Sequence, residues 1–162
     1  MYRNVFYSIL VSMTLFLCAA ALSAQRVGRS HDPDEDRILS LINNERSKTG
    51  LEQLSWDDRL ADLARQYSEK MAREHFFEHV DSDGNDVVAR ARQNRIRGWS
   101  KIGENLFTCD PTDEVVKLSV YGWMHSPSHK ENILDPEWRE TGIGIAYASN
   151  GEVYITEVFA NG

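Results

Sequence analysis

The chain has 162 residues, a 41% apolar and 27% charged composition, and a formal net charge of −7. That length fits one domain with a sizeable core, and the composition excludes disordered, collagen-like and disulfide-scaffold classes. Omitting Arg3, the remainder carries 17 basic against 25 acidic residues, a balance that repels phosphate backbones and argues against nucleic acid as a partner.

Arg3 is the only charged side chain before an unionised run from Val5 to Leu22, and small residues follow in AAALSAQ. This reads as a secretory signal peptide over residues 1–24, cleaved after Ser23 or Ala24, and predicts a secreted, cell-envelope or periplasmic protein. Two alternatives stay open. The run is long enough to span a bilayer uncleaved, and Cys18 sits where a lipid could attach, so membrane association depends on the fate of this segment. With the signal removed, Cys109 is the remaining cysteine, which permits a disulfide-linked dimer, although a monomer is the expectation.

Residues 25–35 form a polar linker ending in a helix start, and residues 36–162 form the domain. From about Pro33, acidic residues Asp34 to Asp36 precede Ile38, Leu41 and Ile42 at helical spacing, and Gly50 supplies a stop. Ser55-Trp56-Asp57-Asp58 caps a second helix whose apolar face is Leu60, Leu63, Ala64, Tyr67 and Met71, running to about His75. DSDGND then forces a turn, and Val87 to Asn94 make a short third helix. A fourth opens at Pro111 and Thr112 and carries Val115, Val116, Leu118, Val120 and Trp123. Pro127 interrupts it, so His125 and His129 need not share a face. GIGIAYA and VYITEVFA, separated by Ser149-Asn150-Gly151, form an antiparallel hairpin. Helices first and strands last predict an α+β fold.

His75-Phe76-Phe77-Glu78-His79 has the H-x-x-E-H spacing that on one helix would offer two imidazoles to a metal. The turn at DSDGND breaks that helix. His75 is expected to end it, with Phe76 and Phe77 as core anchors and His79 beyond. Asp81, Asp83 and Asn85 imitate the start of a calcium loop, but Gly84 is misplaced and Arg92 stands where a bidentate glutamate is required, so a turn is the better reading. In Gly103-Glu104-Asn105, the apolar neighbours Ile102, Leu106 and Phe107 draw Glu104 and Asn105 inward, where they need an imidazole, a metal or backbone amides as partners. Gly142 and Gly144 suit close strand approach rather than phosphate binding.

The ordered series HVDSDG, GENLF, GWMHSPSHKENIL, ETGIGIAYA and YITEVFA resembles the CAP superfamily, also called SCP or cysteine-rich secretory protein, antigen 5 and pathogenesis-related 1 domains, over residues 36 to 160. The resemblance implies an α-β-α sandwich with a central antiparallel sheet, ENLF contributing a strand. It also implies a cleft of two histidines and two acidic residues that in some members binds a divalent cation such as zinc. His79, Glu104 and His129 match three of these positions. The fourth falls near Trp123-Met124-His125-Ser126, which offers no carboxylate, so His125 is a candidate substitute or is simply exposed. Glu104 could instead orient an imidazole, and the whole group could be a polar network tying loops to the sheet.

The expected function is a binding module taking a divalent metal and a small-molecule, lipid or protein ligand. The alternatives are a metal-dependent hydrolase with Glu104 as candidate general base, and a structural or adhesive surface protein.

Overall fold

A computed structural model describes residues 32–162. The signal-peptide, lipidation and most of the linker readings lie outside the described residues. Helix α1 spans Pro33–Lys48, capped by the Asp32 carboxylate, which accepts from the Asp34 amide at 2.9 Å. Strand β1, Ser55–Trp56, precedes α2, Asp58–Glu74. Helix α3 is Val87–Gln93, strand β2 Ile102–Cys109, helix α4 Val115–His125, helix α5 Pro127–Ile133, and strands β3 and β4 are Glu140–Tyr147 and Val153–Ala160.

The strands form one sheet in the order β1-β3-β4-β2. β4 pairs antiparallel with both neighbours, Glu157 facing Asn105 on β2 and Ile143 on β3, while β1 adds a short parallel rung. β4 is central and buried along its whole length, and its alternating side chains divide between two cores. Val153, Ile155 and Phe159 pack with Ile38 and Ile42 of α1, Val120 and Trp123 of α4 and Ile133 of α5. Tyr154, Val158 and Ala160 pack on the other face, among Leu60, Leu63, Ala64, Tyr67 and Met71 of α2 and Ala91 of α3. The result is the α-β-α sandwich that the resemblance implies.

The two glycines of β3 explain how tightly α2 sits. A Cβ on Gly142 would lie 2.0 Å from the Ala61 amide nitrogen, and one on Gly144 2.1 Å from that of Arg65. Helix backbone therefore rests directly on strand backbone. A buried ion pair, Arg65 of α2 with Glu35 of α1 at 3.0 Å, joins the two helical layers.

Three local expectations are corrected. Ser55 and Trp56 are not only a capping sequence: Asp57 caps α2 through the amides of Arg59 and Leu60, while Ser55 and Trp56 pair with β3. α4 starts at Val115 rather than Pro111, because the Thr112 hydroxyl accepts from the Glu114 amide and holds a turn there. Phe77 is 43% exposed rather than a core anchor; Phe76 alone turns inward, edge-on to Tyr67.

Candidate functional site

The site lies where β2 meets the α2–α3 loop, α3 and α5. His75 ends α2 in the left-handed region, φ 55°, with its amide bonded to the Met71 carbonyl, so the chain leaves the helix before His79. The two histidines of H-x-x-E-H thus share no helical face. The loop is then fixed by Asp81, whose Oδ1 accepts from the amides of Asp83 at 3.0 Å and Asn85 at 2.8 Å, the turn expected of that segment.

His79 Nδ1 lies 3.0 Å from Glu104 Oε1, while Arg90 Nη2 donates to Glu104 Oε2 at 2.7 Å. Arg90, on α3, also donates from Nη1 to the carbonyls of Asn85 at 2.8 Å and His79 at 3.2 Å, and its guanidinium lies 3.3 Å above the Tyr67 ring. One planar fork therefore holds the carboxylate and the loop together, a task suited to arginine rather than lysine. The Tyr67 hydroxyl donates to the Glu78 carbonyl, adding a second tie to the same loop, and burial pushes its pKa up to about 12. The Glu104 side chain is 4% exposed and that of His79 56%. A buried carboxylate thus holds an imidazole whose body reaches solvent.

His129 approaches from α5. Its carbonyl accepts from Asn105 Nδ2 at 3.1 Å, and Asn132 Nδ2 donates to Asn105 Oδ1 at 3.0 Å and to the Glu104 carbonyl at 3.2 Å. Consecutive residues of β2 thus serve two segments, Glu104 holding the α2–α3 loop and Asn105 holding α5. The pKa values of the two imidazoles are shifted in opposite directions. The hydrogen bond to Glu104 raises the His79 pKa, whereas burial, and then the charge of His79, lower that of His129.

His125 stands apart. It is exposed at the end of α4, donates from Nδ1 to the Tyr121 carbonyl at 2.8 Å and stacks on the Tyr121 ring at 3.8 Å. Among the described residues no hydrogen bond or ion pair joins it to Glu104, His79 or His129.

A resident zinc centre takes at least three protein ligands. Among the described residues no three His, Cys, Asp or Glu side chains come together to hold a metal. Both Glu104 oxygens are occupied, by His79 and Arg90. That leaves His79 and His129, a donor set too small for such a centre.

Arg90 and Tyr67 were not among the residues singled out by motif. The available signal was position: Arg90 follows Val87 by three and precedes Ala91 on a short helix, so the apolar side of α3 carries it inward.

The profile of the cysteine-rich secretory protein family matches residues 39–159. An uncharacterised Bacillus subtilis protein, YkwD, is 32% identical over 123 residues, covering 76% of this chain and 46% of that protein. An uncharacterised B. subtilis membrane protein, YlbC, is 27% identical over 128 residues, 77% and 35% of the respective chains. The chain therefore spans less than half the length of these relatives. Among solved structures, an outer surface protein of Borrelia burgdorferi superposes with TM-score 0.70 at 22% identity over 78% of this chain and 91% of that one. An extracellular SCP-domain protein from Bacillus anthracis gives 0.69 at 24%, over 80% and 40%. NaASP2, crystallised with Zn2+, gives 0.61 at 12%, over 82% of each chain. The fold, the ordered motifs and the profile match agree: this chain belongs to the cysteine-rich secretory protein family.

Proposed function

We propose that the chain is an exported recognition module whose cleft binds a small or lipidic ligand through an anionic head group, without catalysing a reaction. The observation that carries this reading is the engagement of Glu104. With one oxygen at His79 and the other taking a hydrogen bond from Arg90, and with its side chain 4% exposed, it is placed to hold the loop rather than to meet a water molecule as a general base must. Arg90 and His79 share that single carboxylate, whose hydrogen bond favours the protonated imidazole, so the exposed end of His79 is a place where positive charge is favoured on an acidic protein. A ligand carboxylate or phosphate is attracted there, accepting from His79 Nε2. Export is supported by the N-terminal apolar run and small residues, and by the extracellular and outer-surface neighbours in structure. Among the described residues, no helix is long and apolar enough to cross a membrane.

A divalent cation entering the cleft would meet two imidazoles and water, a weak, exchangeable set rather than a resident centre. Calorimetric titration of zinc into the protein and into a folded His79→Ala/His129→Ala variant tests this. Binding weaker than about 10 µM, abolished in the variant, is expected. Stoichiometric submicromolar binding would overturn the reading and return metal-assisted hydrolysis to the front.

A further inference from the structure

The face of the sheet opposite Glu104, which Asn105 shares, carries an acid that the site does not use. Glu157, in the middle of β4, is 0% exposed. Its Oε1 lies 3.2 Å from Thr141 Oγ1, and that hydroxyl is also 2.9 Å from the Val158 carbonyl. A threonine hydroxyl has one proton to give. The Val158 carbonyl can only accept, and it is the closer partner, so the proton of Thr141 goes there. The remaining contact is then satisfied only if Glu157 is the donor.

The surroundings agree. Burial disfavours a carboxylate unless a cation bonds to it directly. From α1 the group facing Glu157 is Arg46, but neither Arg46 Nη2 nor Glu157 Oε2 has a hydrogen-bond partner among the described residues. Arg46 instead spends its fork on the carbonyls of Glu52, Ile133 and Asp135. Asp135, from the loop after α5, pairs with Lys101. From β2 the register partner is neutral Asn105, and from β3 it is Ile143. The buried residues of α4 are uncharged.

We propose that Glu157 is a neutral carboxylic acid in the folded protein, donating its O–H to Thr141 Oγ1, and that loss of this proton loosens the sheet beneath the cleft. Burial pushes the Glu157 pKa up to about 8, so mildly alkaline conditions are where the proton leaves. The consequence reaches the cleft through Asn105, whose amide holds His129 in place. The sign is the reverse of an ordinary paired carboxylate. The folded chain binds a proton that the unfolded chain has released, so stability falls as pH rises from the free-glutamate range of about 4 through the folded value, and is flat above it.

Glu157→Gln keeps the shape, a donor and an acceptor while removing the ionisation. Thermal unfolding midpoints of both proteins are compared from about pH 5 to about pH 9. The variant is expected to match the wild type near the acid end and to become progressively more stable towards the alkaline end. A pH-independent difference, or a variant that is the less stable at high pH, would overturn the proposal. Infrared spectroscopy supplies a second measurement that needs no variant. The wild-type protein should show a protonated-carboxyl carbonyl band at about pH 6, where ordinary carboxyls are ionised, that disappears on alkaline titration. Absence of that band would refute the assignment.

Discussion

Arg90 is the residue on which the cleft turns. Its guanidinium meets a buried carboxylate, two loop carbonyls and an aromatic face, and it is 7% exposed. Arg90→Ala leaves Glu104 buried with His79 as its remaining side-chain partner, and is expected to cost about 3–5 kcal/mol in denaturant unfolding. Arg90→Lys restores the charge but not the fork, so it should recover only part of that loss. His79 supplies a titration with a definite sign. Its folded pKa is raised, so its bond to Glu104 stabilises fully below the free-histidine value of about 6.5 and fades as pH rises through the folded one. In an NMR titration Glu104→Gln should bring the His79 midpoint down, and a midpoint left unmoved would contradict the pairing. Residue types alone announced Glu104 and Asn105 as inward-drawn polar groups, because apolar neighbours flank them. For Arg90 they offered only its place beside Val87 and Ala91 on the apolar side of α3; its partner Glu104, fourteen positions away, is brought to it by the fold.

At the scale of elements, the contact of α2 with β3 is the most demanding in the fold. Gly144→Ala would thrust a methyl to 2.1 Å from helix backbone, where no side chain can swing aside. The helix must lift, and the expected loss is about 3 kcal/mol or more, read as a lower unfolding midpoint. A small change in stability would mean that α2 slides freely on the sheet. Periodicity revealed α1, α2 and the β3–β4 hairpin because each buries a regular face long enough to repeat. β1 escaped because two residues have no period. β2 escaped residue-level reading for a different reason: buried Glu104 and Asn105 interrupt its apolar pattern, so its strand character came through the resemblance of ENLF alone.

At the scale of the whole molecule, two cores share one sheet, and β4 takes part in both. That arrangement lets the His79 side and the His129 side of the cleft be anchored by neighbouring residues of one strand while their supporting helices lie in different layers. Order along the chain, rather than any single motif, carried this architecture, since His79, Glu104 and His129 are distant in sequence and the fold brings their segments to one strand. The same edge has another consequence. An outermost strand ordinarily offers a row of unspent backbone acceptors to any passing chain. On β2, Asn132 bonds to the carbonyl of Glu104, and the Trp123 indole bonds to that of Leu106 at 2.8 Å. Both acceptors are already engaged, so α4 and α5 also shield this flank from strand-by-strand polymerisation.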